Sequence, residues 1–101
     1  MSLLIDPAMV STTSELAGFR ITECFGVTEG SSVAVCTGFT IKKGQKDVLK
    51  DTIREAFVEM VTCAALRGAN AVVGLRYNHL AGEGERVVIA YGTAVKVEKI
   101  L

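Results

Sequence analysis

At 101 residues the chain has the length of one domain and too little for two. It is 50% hydrophobic but only 6% aromatic, so its core has to be built from Val, Ala, Ile and Leu. Eleven basic and eleven acidic residues leave a formal net charge of zero. That argues against a nucleic-acid module, whose affinity rests on a basic surplus, and against an electrostatic membrane anchor.

The opening Met1-Ser2-Leu3-Leu4-Ile5-Asp6-Pro7 has no basic region and only a short apolar run, unlike a secretory signal. Residues 1–8 read as an N-terminal extension and 9–101 as a single domain. Met9 to Thr13 suggests a short first strand, and Ser14 to Gly18 a turn. Two runs of period two follow. Phe19, Ile21, Phe25 and Val27 share the odd-numbered face of the first, interrupted by Glu23; Val33, Val35, Phe39 and Ile41 share that of the second. Glu29-Gly30-Ser31 between them predicts a hairpin turn. A three-residue loop keeps both odd faces on one side, since one step of register flips every side chain. This register sets Phe25 opposite Val35 and Cys24 opposite Cys36.

From about Gln45 to Arg67 the apolar residues Leu49, Ile53, Ala56, Phe57, Met60 and Ala64 recur at steps of three and four, which predicts one amphipathic helix. Gly68 stands where a left-handed residue ends such a helix. Ala69 to Leu80 reads as a strand, Ala81 to Glu85 as a loop, and Arg86 to Glu98 as the closing strand. The whole predicts an α+β two-layer domain: one long helix on a mainly antiparallel sheet of about four strands. No stretch approaches the length of a membrane span.

One helix covers one face of such a sheet. The odd faces carry the bulky side chains and are the natural partners for it. The other face carries Cys24, Gly26, Ala34, Cys36, Val72, Gly74, Val88, Ala90, Gly92 and Ala94, which are small or apolar where a solvated face alternates in polar residues. The expectation is that this second face packs on further copies of the chain; loops or the N-terminal segment are the other candidates to cover it. A zero net charge weakens repulsion between copies.

Three groups of residues also carry a resemblance. Val10-Ser11-Thr12-Thr13 with Gly18-Phe19-Arg20-Ile21, then Gly26-Val27-Thr28-Glu29-Gly30, then Gly68-Ala69-Asn70-Ala71-Val72-Val73-Gly74 with Gly92-Thr93-Ala94-Val95 resemble, in this order, the YbjQ-like family, whose label is heavy-metal binding. The resemblance implies a small α+β subunit in a ring-shaped homopentamer, sometimes stacked in pairs as a decamer. It brings no established reaction. The segment from Gly38 to Lys46 is shorter here than in family members and lacks their aromatic-rich stretch and Gly-Gly-Arg-Ser-like loop.

Residues with metal-ligating chemistry are few. There is no Cys-x-x-Cys, His-x-His or His-Glu-x-x-His. Cys24, Cys36, Cys63 and His79 remain. Two thiolates paired across a hairpin, with Cβ atoms about 5 Å apart, would suit a soft ion such as Zn(II) or Cu(I) with further ligands from another subunit. Cysteine in strands and helices is more commonly a small buried hydrophobe. Three cysteines without close spacing do not make a disulfide framework, so free thiols in the cytoplasm are expected. No catalytic residue stands out: there is one His, no nucleophile elbow, and Gly82-Glu83-Gly84 opens no helix. Asn70 and Arg76 are the notable polar residues of the sheet, and structural pairing is the expectation for both. Two functions follow: a cytoplasmic homo-oligomer holding a soft metal or small ligand in a ring-generated site, or a non-enzymatic scaffold that recruits a protein partner.

Overall fold

The computed structural model describes residues 4–35, 44–82 and 85–100. Strand β1 spans Phe19–Val35, helix α1 Gly44–Leu66, strand β2 Ala71–Gly82 and strand β3 Glu85–Lys99. The three strands form an antiparallel sheet in the order β1-β3-β2, with α1 packed on one face. The helix and the last two strands fall where periodicity placed them. The C-terminus of α1 also forms as expected: Gly68 takes φ +97° while Ala69 N donates to the Ala64 carbonyl and Gly68 N to that of Ala65.

The hairpin expected at Glu29-Gly30-Ser31 does not form. These residues lie inside β1 and pair in unbroken register with β3, Glu29 with Tyr91, Gly30 with Ala90 and Ser31 with Ile89. The turn-like composition has a different cause. A Cβ at position 30 would run into the Ala56 carbonyl oxygen and the Met60 nitrogen of the helix backbone. Gly30 is therefore demanded by the close approach of α1, and its φ is not in the left-handed region. On either side of it β1 is fastened to the helix. Thr28 Oγ1 donates to the Met60 carbonyl at 2.8 Å, and Ser32 Oγ to Glu55 Oε2 at 2.6 Å. Among the described residues the sheet thus has three strands where about four were expected. The segment Met9–Thr13 adds one bridge, Val10 with Val72, beside β2.

Over most of the sheet the helix also takes the opposite face from the one expected. Val88, Ala90 and Ala94 of β3 and Val72 of β2 are fully buried beneath Ala56, Met60, Val61 and Ala64. Small inward residues let the helix axis come close to the sheet, and Met60 fills the space between. Ile5 joins this cluster at 2% exposure. Bulky odd residues such as Val33 of β1 and Ile89 and Tyr91 of β3 are left to the other side of the sheet, whereas Phe25 and Leu75, at the register shifts, join the helix side. Two shifts of register in β1, at Ile21/Glu23 and Cys24/Gly26, and one in β2, at Val73/Arg76, bend the strands.

Polar groups at the foot of the sheet bond to backbone. Asn70 Nδ2 donates to the Val97 carbonyl at 3.1 Å, and Val97 N donates to Asn70 Oδ1 at 2.8 Å, so one amide side chain extends the β2–β3 ladder. Arg67, just past the helix, donates to the Val27 and Phe25 carbonyls beside the second shift in β1. Asn70→Ala is expected to lower stability by about 1–3 kcal/mol, since it leaves two partly buried backbone groups without partners. Urea denaturation reads this as a lower midpoint with an unchanged slope. Wild-type stability in Asn70→Ala would mean that the side chain is not a rung of the ladder.

Candidate functional site

The face of the sheet away from α1 is divided in two. At one end Ala71, Val73, Val95 and Val97 form a second buried cluster, covered by Met9, Leu16 and Phe19. The covering segment is held by its own turns and by the edge of β2. Asp6 accepts from Ala8 N to start the turn Pro7–Met9. Ser11 N then donates to the Val72 carbonyl, Leu75 N to that of Ser11 and Gly74 N to that of Thr13. Arg76 donates to the Thr12 carbonyl at 2.7 Å and to that of Leu75. Arg76 and Asn70 are therefore both committed to backbone within the chain, the structural role expected of them.

Towards the other end the described residues leave the same face bare. Register builds it in rows across the three strands: Val33, Val87, Leu80; then Ser31, Ile89, Asn78; then Glu29, Tyr91, Arg76. Val33 is 55% exposed, Leu80 53% and Tyr91 38%, with Val27 beyond the last row at 63%. These exposed apolar side chains are neighbours along and across the strands, with Ser31, Asn78, Glu29 and Arg76 among them.

The sequence-predicted ligands do not converge on either half. Cys24 is exposed on β1 and pairs with Val95 of β3. The cross-hairpin pairing with Cys36 depended on a turn that does not form, and Cys36 itself lies outside the described residues. Cys63 is half-buried on α1. His79 is exposed on β2, across from Val88. Among the described residues no three His, Cys, Asp or Glu side chains come together as a metal site. One subunit's described residues therefore do not fit a soft-metal centre. Both described thiols are free. The loop read from Ala81 to Glu85 is shorter than expected, because β2 runs to Gly82 and β3 starts at Glu85. No helix among the described residues is long and apolar enough to cross a membrane.

The bare rows were missed in the sequence because the helix had been assigned to them. The signal was present: Val27, Glu29, Ser31, Val33 and Val35 alternate without a break through the supposed turn.

The fold and this surface define a small α+β domain with one helix on an antiparallel sheet and, among the described residues, a half-open second face. The family described as "Putative heavy-metal-binding" matches residues 40–98. A UPF0145 protein of Lactococcus lactis is 32% identical over 95% of this chain and 100% of its own length. One from Thermotoga maritima is 33% identical over 91% of this chain and 99% of its own length. The chain belongs to the YbjQ-like family. Its fold is similar to the crystal structure of a Pediococcus pentosaceus protein of unknown function from the DUF74 family, with a TM-score of 0.68 at 24% identity over 88% of this chain and 96% of that one.

Proposed function

We propose that the chain is the subunit of a closed homo-oligomer whose copies pack through the bare rows of the sheet, and that a soft metal ion or small ligand binds where copies meet. The observation that carries this reading is the apolar surface of Val33, Val87, Leu80, Ile89 and Tyr91 on a face that the described residues cover only at its other end. A second copy suits it. The formal net charge is zero, so copies repel weakly. Glu29 and Arg76 flank Tyr91 in one row, so the surface offers both signs of charge to a copy of itself. Five copies in a ring is the number the family resemblance favours. The free thiols of Cys24 and Cys63 suit the reducing cytoplasm, and repetition around an axis would bring thiols of separate subunits into one shell.

The test is a native mass spectrum of tag-free protein purified without chelator. Subunits of 10.7 kDa predict an assembly of about 53 kDa for a ring of five. Extra mass in fixed stoichiometry, lost in the Cys24→Ser, Cys36→Ser, Cys63→Ser triple variant, supports thiol ligation between copies. A bare ring moves weight to a scaffold that recruits a partner. A monomer at micromolar concentration sinks the proposal.

A further inference from the structure

Two clefts flank α1, and their charges are opposite. One, of about 430 Å³, is lined by Asp51, Arg54, Glu55, Val58 and Glu59, so carboxylates dominate it. The other, of about 320 Å³, lies between α1 and β2 and is lined by Lys50, Ile53, Arg54, Phe57 and Tyr77. Among the described residues it presents two cations and no carboxylate. Its size falls at the lower end of the range for small-molecule sites, roughly 300–1,000 Å³.

The helix repeat builds this cleft. Lys50 and Arg54 are four residues apart and so stack on one side of α1, as do Ile53 and Phe57. Ile53 and Phe57 pack against the main core, which makes them a firm apolar wall. Tyr77 closes the far side. It pairs with Ala90, whose side chain is buried under the helix, so the phenol stands on that same face. Neither Lys50 nor Arg54 has an ion pair among the described residues, although Arg54 also borders the acidic cleft. The Tyr77 hydroxyl likewise has no hydrogen-bond partner among them. Burial raises its pKa above the ordinary value, so it stays a neutral donor at physiological pH.

We propose that this cleft binds a small anion with a flat apolar body, such as an aryl carboxylate, its charge held by Lys50 and Arg54 and its ring against Ile53, Phe57 and Tyr77. The paired cations select the charge, the wall selects the ring, and the phenol supplies a directed hydrogen bond. Every residue involved belongs to one chain, so the site goes beyond the assembly reading and does not require it.

The full-length protein is titrated with 2-naphthoate and, in parallel, with 2-naphthamide, which has the same shape and no charge. One naphthoate per chain is expected, bound at least about tenfold more tightly than the amide. Arg54→Gln and Lys50→Gln should each weaken naphthoate by about tenfold, while Arg54→Lys, which keeps the charge, stays within a few-fold of wild type. Cys24→Ser should change nothing. Far-UV circular dichroism confirms that each variant is folded. Equal affinity for acid and amide overturns the proposal, as does binding indifferent to both glutamine variants or absent up to millimolar ligand. A monomer that binds naphthoate keeps this proposal and ends the assembly reading; an oligomer that does not bind it does the reverse.

Discussion

Gly30→Ala is expected to destabilise the protein by about 3 kcal/mol, the upper end of what overpacking usually costs. The added Cβ would meet two backbone atoms of α1, the Ala56 carbonyl oxygen and the Met60 nitrogen, and would lie 2.8 Å from Glu59 Cβ. A crowded side chain can rotate away; a helix backbone moves only as a body. Lifting α1 off β1 stretches the Thr28–Met60 and Ser32–Glu55 hydrogen bonds and loosens the packing over Val88 and Ala90. For a domain of this size 1 kcal/mol corresponds to about 4–8 °C, so the melting temperature should fall by roughly 12–24 °C. Ser31→Ala, one residue along and on the opposite face, should stay within about 0.5 kcal/mol of wild type. Calorimetry on the two variants decides between a strand and a turn at this position. If Gly30→Ala melted with the wild type, α1 would not rest on Gly30.

The second large effect concerns assembly. Val33→Glu combined with Leu80→Glu places two carboxylates in a row whose third member is Val87, with no cation in that row. Both positions are more than half exposed in the subunit, at 55% and 53%, so the fold should be retained. In an interface the same carboxylates would be buried without partners. An uncompensated buried charge costs about 3–5 kcal/mol, which weakens each contact by roughly a hundredfold to a few thousandfold. If the proposed assembly forms through these rows, the double variant should sediment as a folded monomer at concentrations where the wild type is an oligomer. Arg20→Gln, which breaks only the exposed Arg20–Glu98 pair, should leave assembly alone. An undiminished oligomer in the double variant would place the interface elsewhere.

The helix and the strands β2 and β3 were legible because their signals are local. A stripe at helical spacing, a glycine at the helix end and period-two runs each depend on a few neighbouring residues. The length of β1 was not legible, because Glu29-Gly30-Ser31 has the composition of a turn and is a strand only through what lies across from it. β3 offers Tyr91, Ala90 and Ile89 as partners, and α1 needs the missing side chain of Gly30. The choice of face was hidden for a related reason. Side-chain bulk favoured the odd positions for the helix, whereas close approach favoured the small ones: Gly30, Ala90 and Ala94 against Ala56 and Ala64. The candidate ligands suffered most, since pairing Cys24 with Cys36 required the hairpin. The α1–β2 cleft was invisible for want of a register: nothing in the sequence says that Tyr77 meets the side of α1 that carries Lys50 and Arg54.

The strand order β1-β3-β2 has a consequence for synthesis. Among the described residues β1 and β2 make no ladder with each other; the ladder of each runs to β3, the last of the three strands. While a ribosome extends the chain from its N-terminus, residues up to Gly82 can form a helix but none of these β–β ladders. The two earlier strands must wait, with apolar surface uncovered, until residues 85–99 emerge and slide between them. A nascent chain halted before Glu85 is then a substrate for chaperones and proteases rather than a smaller version of the domain.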